Sequence, residues 1–192
     1  MRRIFTFAFA AVFAAFLAGP ALAEEPAAQS TERERLFEAL KNAPTEKAGR
    51  AAERAVWEYW MAAGPTGAVR DKLRTAMDAL SGRDFDRAMT LLDEVVAAAP
   101  EYAEGWNQRA FAHFLLGSLD DSLEDLDRTL ELEPKHFGAL SGKAIVLMRQ
   151  GRVRLGQKAL RKAVAIHPWL KERSLLVPKA GDVPKSPDGE EI

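Results

Sequence analysis

Three histidines and a dense set of carboxylates are the residues of this chain that could do chemistry. His113, His136 and His167 lie 23 and 31 residues apart. That spacing gives no pair of imidazoles one helical turn apart, as in the HExxH metal motif. Cysteine is absent, so there is no thiolate nucleophile, disulfide or Cys-bearing zinc site. The chain has no GxSxG elbow, no P-loop and no GxGxxG opening a helix. Asp121 and Asp125 sit one turn apart on a stretch that reads as a solvated helix. There they act as solubilising charge rather than as an acid/base dyad. His113 falls in an aromatic core column, and His136 and His167 flank turns at Pro134 and Pro168, so packing and turn roles are expected of all three. No catalytic residue, cofactor or metal is expected, and the chain is not expected to be an enzyme.

The elements that carry these residues read as helices throughout. Hydrophobic residues make up 47% and charged residues 29% of the 192 positions, the balance of a globular chain. Alanine, leucine, glutamate and arginine dominate, and such side chains lose little rotamer freedom in a helix. The first residues are different. Arg2 and Arg3 precede an uncharged apolar run from Ile4 to Leu17, Gly19 and Pro20 break it, and Ala21-Leu22-Ala23 has the small-x-small cleavage pattern. Residues 1–23 are expected to be a Sec signal peptide, since the run is too short to span a bilayer comfortably. The mature chain is then expected to be exported and free of membrane spans, and periplasmic in a Gram-negative cell. Without Arg2 and Arg3 the 27 basic residues fall to 25 against 28 acidic, a net charge of −3. That balance gives no general pull toward nucleic acid, and none is expected as a partner.

The prolines disclose a repeat. Pro100, Pro134 and Pro168 are each 34 residues apart. Stepping by the same period aligns Ala76, Ala110 and Ala144, then Ala88, Ser122 and Gly156, then Val95, Thr129 and Ala163. Larger columns are Leu92, Leu126, Leu160 and Val96, Leu130, Val164. Gly117 matches Gly151, while Gly82 sits one residue early. A unit with these columns resembles the tetratricopeptide repeat (TPR), over 69–170 in three units: 69–102, 103–136 and 137–170. More loosely, Gly105-Trp106-Asn107 and the stretch from Pro134 to Leu140 look like small exported repeat proteins of proteobacteria. The resemblance implies an all-α solenoid of antiparallel helix pairs whose first helices line a concave surface. Small residues sit where paired helices approach most closely. The chain departs from the family at Thr75, Arg109 and Lys143, where leucine is usual, and at Ala79, His113 and Leu147, where tyrosine is usual. These changes bear on the packing of the units.

The flanks read differently. Residues 24–31 are expected to be flexible. Thr31 is a candidate N-cap for a helix over 32–43, and 46–62 reads as a second helix with Ala52, Val56, Tyr59 and Trp60 at helical spacing. This pair is about one repeat long without the small columns. It is expected to be a degenerate helical hairpin over 32–68 that caps the N-terminal end of the array. Burying Trp57 or Trp60 together with Phe37 would add several kcal/mol, at roughly 1.5–3 kcal/mol per side chain. Residues 171–192, rich in proline and glycine, are expected to be a mostly disordered tail.

Such a surface points to binding. Candidate groove positions are Leu73, Met77 and Leu80, then Asn107, Phe111 and Phe114, then Ser141, Ile145 and Met148. Of these, Met77, Asn107, Phe111, Phe114, Ile145 and Met148 are the expected partner contacts, with inter-unit packing as the alternative for each. Repeat domains that grip a peptide's C-terminal carboxylate use Lys, Asn and Arg from two units. Here only Asn107 matches, and an apolar lining suits an apolar stripe of another protein or peptide better. Unit 103–136 carries eight acidic and three basic residues, and unit 137–170 carries seven basic and none acidic. Arg154, Lys158, Arg161 and Lys162 recur at helical spacing. They read either as a docking stripe for an anionic partner or as a solvated face. The leading expectation is an exported scaffold that binds a protein segment. Self-association into a structural subunit is the alternative.

Overall fold

The computed structural model describes residues 27–178, with side chains from Thr31 onward. Among the described residues the chain forms eight α-helices and one short 3-10 helix. The helices are α1 (Ala27–Lys41), α2 (Glu46–Ala62), α3 (Gly67–Ser81), α4 (Phe85–Ala98), α5 (Ala103–Leu116), α6 (Leu119–Leu132), α7 (Phe137–Arg149) and α8 (Val153–Ile166). The 3-10 helix is Lys171–Leu175. The expected signal segment 1–23 and most of the expected tail lie outside the described residues.

Helices α3 to α8 form three consecutive hairpins, and the 34-residue columns explain their shape. Ala76, Ala110 and Ala144 are buried, as are Ala88, Ser122 and Gly156. A Cβ on Gly156 would come within 2.7 Å of the Ala144 carbonyl oxygen, so the α7–α8 crossing leaves no room for a side chain there. In the middle unit the Ser122 hydroxyl instead donates to the Ala110 carbonyl at 2.8 Å, tying α5 to α6. The turn inside each unit needs one left-handed residue, because that geometry closes the helix and redirects the chain. Gly117 (φ 83°) and Gly151 (φ 78°) supply it at no steric cost. The first unit keeps the same column but fills it with Arg83 (φ 62°), while Gly82 has an ordinary negative φ. The early glycine therefore does not shift the turn. It leaves a strained arginine in it.

Two positions that depart from the family have local explanations. Arg109 reaches across to α6 and forks onto Asp125 with two 2.8 Å bonds, while its third nitrogen donates to Asp93 at 3.0 Å. Lys143 pairs with Asp127 in the same relation one unit on. An apolar contact between helices is thus replaced by ion pairs. Asp125, expected to be solvated, is 4% exposed. His113 Nε2 also approaches it, 3.8 Å from Oδ2.

The N-terminal hairpin departs most from expectation. It packs chiefly on the third unit, not as a cap on the first. Leu36, Phe37 and Leu40 of α1 and Val56 and Trp60 of α2 share one buried cluster with Phe137, Leu140, Leu160, Ala163 and Leu170. α2 lies as a strap across the two inter-unit turns and the turn that follows the last unit. At one end Met61 accepts a 3.0 Å hydrogen bond from the Tyr102 hydroxyl. In the middle Trp60 stacks on His136, centroids 3.9 Å apart and nearly parallel, with Trp57 edge-on to the same ring. Further back Glu53 lies 3.4 Å from His167, and Gly49 lets the Trp169 ring press against the helix backbone. The Trp169 indole N–H donates to the Ala43 carbonyl at 2.8 Å. Tyr102, His136 and Leu170 are the same column of the repeat, 34 residues apart. The span from Gly49 to Met61 is about 18 Å at 1.5 Å per residue, enough to bridge neighbouring units. Outside the strap, Arg33 of α1 forks onto Glu133.

Two further boundaries differ from expectation. α1 starts at Ala27, so Thr31 lies inside the helix and is not its N-cap, and 27–31 are helical rather than flexible. The segment after 170 is ordered where it is described. Gln157 holds it from α8, donating to the Leu175 carbonyl and accepting from the Val177 amide, both at 2.8 Å. Side-chain capture of backbone groups gives this irregular segment the partners a helix would have given it.

Candidate functional site

An open groove of about 310 Å³ runs between α5 and α7. Asn107, Gln108, Phe111 and Phe114 of α5 form one wall, and Gly138, Ser141, Gly142 and Ile145 of α7 the other. Ser122 and Leu126 of α6 reach it from beneath. The wall positions recur every three or four residues, the spacing that puts side chains on one helical face. Trp57 of α2 and Glu172 of the 3-10 helix also border the groove. At the C-terminal end of α7 the Arg149 guanidinium lies over the Phe114 ring, 5.2 Å from its centroid. Phe111 is 49% exposed, an open aromatic surface amid mostly apolar walls.

Four of the expected partner contacts, Asn107, Phe111, Phe114 and Ile145, come together here, with Ser141 beside them. Met77 and Met148 do not. Met77 packs on the cluster of the first unit. Met148 turns into the third unit, where its sulfur accepts from Gln157 at 3.6 Å. Leu73 and Leu80 are buried core residues. The sequence reading missed Trp57, Gln108 and Glu172. Trp57 has a visible signal: Glu46, Gly49, Glu53, Trp57 and Trp60 fall on one stripe of α2, the stripe that meets the turns. Glu172 has none, since it follows the last unit.

Beneath the groove lies a buried polar network that fixes its wall. Glu104, in the first turn of α5, is 1% exposed. It accepts from Gln108 at 2.6 Å and from Asn107 at 3.3 Å. His136 is fully buried, and its Nε2 lies 3.0 Å from the same carboxylate. The tautomer follows from its other nitrogen. Nδ1 accepts the Ala139 amide at 3.0 Å and caps α7, so the ring proton resides on Nε2 and is donated to Glu104. One carboxylate thereby joins the start of α5, the start of α7 and, through the stack on Trp60, the strap. Its place at a helix N-terminus is favourable for an acceptor-only group.

The groups whose pKa is shifted by burial are structural. Burial would raise the Glu133 carboxyl, but Arg33 and the Lys135 amide outweigh it and hold it below the usual carboxylate value. Burial pushes the Tyr102 phenol well above its ordinary value. Burial also lowers His167, against the opposing pull of Glu53. His167 is fully buried, and neither ring nitrogen makes a hydrogen bond of normal geometry. None of these groups lines the groove. Among the described residues no three His, Asp or Glu side chains gather as a metal site, and no helix is long and apolar enough to cross a membrane.

The second candidate surface is the outer face of α8. Arg154, Lys158 and Lys162 are exposed there and make no ion pair among the described residues. Arg161 is half-buried and donates to the Val177 carbonyl at 2.7 Å. The four do form one stripe along α8.

No protein-family model matches the chain. A TPR repeat-containing protein of Rhizobium etli is 43% identical over 81 residues, which is 42% of this chain and 40% of that protein. The SGT1 homolog of Bos taurus is 37% identical over 84 residues, 44% of this chain and 25% of that protein. The chain thus spans less than half the length of these curated relatives. Among solved structures, the first TPR of Spaghetti (RPAP3) bound to an HSP90 peptide matches with a TM-score of 0.54 at 15% identity, over 56% of this chain and 85% of that one. The Arabidopsis OM64 TPR domain matches with a TM-score of 0.54 at 17% identity, over 56% and 89%. At such identity the likeness is one of fold.

Proposed function

We propose that this tetratricopeptide-repeat protein is an exported, non-catalytic scaffold whose α5–α7 groove binds the apolar stripe of a protein segment. The observation that carries the reading is the groove itself: Phe111, Phe114 and Ile145 converge on about 310 Å³ of accessible space with Phe111 half exposed. An aromatic held open on a rigid helix costs little ordering entropy on binding, which is how such residues come to dominate recognition. Peptide binding by a solved neighbour of the same fold, the HSP90 peptide complex, supports the class of partner. The mode differs from carboxylate capture. Among the described residues no lysine or arginine lines the groove walls, Glu172 is the one charged lining residue, and Arg149 only covers the edge of Phe114. The signal-like residues 1–23 support export, and hence a periplasmic site in a Gram-negative cell.

Trp57 provides the test. Titration with amphipathic helical peptides is expected to change its fluorescence. Phe111→Asp is expected to abolish the change while leaving the circular dichroism intact. Equal responses from wild type and variant, or no response to any apolar peptide, would remove the reading. Fusion of residues 1–30 to a reporter enzyme active only outside the cytoplasm tests export separately.

A further inference from the structure

α6 and α8 have the same frame and opposite charge. Each is a 14-residue helix, and their boundaries, Leu119–Leu132 and Val153–Ile166, are offset by one repeat at both ends. Their buried columns coincide: Ser122 with Gly156, Leu126 with Leu160, Thr129 with Ala163. Their outward columns therefore coincide too, and there the sign inverts. Asp120 corresponds to Arg154, Glu124 to Lys158 and Asp127 to Arg161. Five of these six are exposed, and Arg161 is half-buried.

Among the described residues no ion pair joins the two stripes within one molecule. Both lie on the second helices of their units, with their outward side chains open to solvent. Only part of the acidic stripe is occupied, Asp127 by Lys143 and Asp120 by the Gln150 amide. Glu124, at its middle, has no ion pair among the described residues, and neither does Lys158 at the middle of the basic one. We infer that a second copy of this chain docks on this face, with α6 of each copy against α8 of the other.

Symmetry selects the arrangement. Two neighbouring parallel stripes of opposite sign become mutually complementary when a second copy is turned over about a two-fold axis parallel to the helices and midway between them. Each copy then presents acid to the other's base twice, in an isologous contact. Because the columns are in register, Glu124 of one copy meets Lys158 of the other, and Asp120 meets Arg154. A two-fold axis across the helices would set like charge on like and is disfavoured. The one base on the acidic face, Arg128, is already held by Glu101 and Glu131. The contact is built from exposed charges, so it is weak and steeply salt-dependent. It leaves the groove between α5 and α7 open and is independent of what the groove binds.

Sedimentation velocity of the purified protein tests this. At about 0.01 M salt, where the Debye length is about 30 Å, a monomer–dimer equilibrium is expected. At about 1 M, where it is about 3 Å, the protein is expected to be monomeric. Arg154→Glu with Lys158→Glu, and separately Asp120→Lys with Glu124→Lys, are each expected to abolish the dimer at low salt. Mixed one to one, the two variants are expected to form a heterodimer, since both helix pairings are then acid against base again, one with its native sign and one with the sign reversed. That recovery also shows that both variants are folded. Phe111→Asp in the groove is expected to leave the association unchanged. A wild type monomeric at low salt, a dimer that survives high salt or either charge reversal, or a mixture that stays monomeric would each overturn the inference.

Discussion

The repeat array and the hairpin across it are both helical, and both bury aromatic and aliphatic residues, yet they are held by different kinds of information. Inside the array contacts run only to helices one or two places along the chain, and the same small and large columns recur. Each unit thus states the packing of the others. The hairpin follows no column. Its partners are three turns spread from Tyr102 to Leu170, and its specificity lies in individual rings: Trp60 on His136, Trp169 on Gly49, Phe37 beside Arg33 and Lys135. The array is specified redundantly. The strap is specified once at each position.

That contrast predicts where single substitutions hurt. The largest effect is expected for Trp60→Ala, which empties a 4% exposed site and unstacks His136. A loss of about 3–5 kcal/mol is expected in denaturant unfolding, with α1 and α2 becoming the first protease targets. A loss without early cleavage of the hairpin would break the distinction between the two regions.

Next is Arg109→Leu, which restores the residue usual in the repeat. It is expected to cost about 3 kcal/mol because it strands the buried Asp125 charge. Arg109→Leu combined with Asp125→Leu is expected to recover most of that. If the single variant were neutral in a thermal melt, the array would be as tolerant there as its periodicity suggests.

The pH dependence is smaller and arises where the N-terminal hairpin meets the array. His167 has its folded pKa lowered from 6.5, chiefly by burial. The unfolded chain then binds the proton first as pH falls, so His167 contributes stability that is present above about pH 6.5 and is lost as pH drops below it. One proton sets a limit of about 1.4 kcal/mol per pH unit. Melting temperatures between pH 7.5 and 5.5 are expected to fall in wild type and to flatten in His167→Gln. Glu133 acts in a separate window, below its ordinary 4.5, and its stabilisation is lost on further acidification.

The smallest effect is a gain. Arg83→Gly is expected to stabilise the first unit by about 0.5–1 kcal/mol, by relieving a left-handed side chain at some cost in unfolded-state entropy. The same exchange reversed at Gly117 is expected to lose a similar amount, which calorimetry can resolve.

Legibility in the sequence follows the same division. The three hairpins, their small columns and the Asn107–Phe111–Phe114–Ile145 wall were readable because period and side-chain size together fix a helix face. Arg109 and Lys143 were visible as departures, but their partners lay one helix away, where no spacing rule points. Glu104 is only one of eight acidic residues in its unit, and His136 reads as a packing or turn residue with no partner indicated. Their burial depends on Trp60, which is 44 positions upstream of Glu104 in sequence. Hydrophobic spacing along α2 predicted a helix and a buried face correctly. It carried no statement of which of two array ends that face would meet.

The strap changes how the chain comes apart. An open helical repeat frays from its ends, because a terminal unit has one neighbour instead of two. Here the first two described helices lie against the last unit, so contacts between α1 and α8 close a loop of more than 100 residues at an entropic cost that grows only with the logarithm of its length. Such distant pairing raises contact order and slows folding. In exchange the third unit and the hairpin hold each other in place. Unfolding is then expected to be a single cooperative event rather than a sequential unravelling.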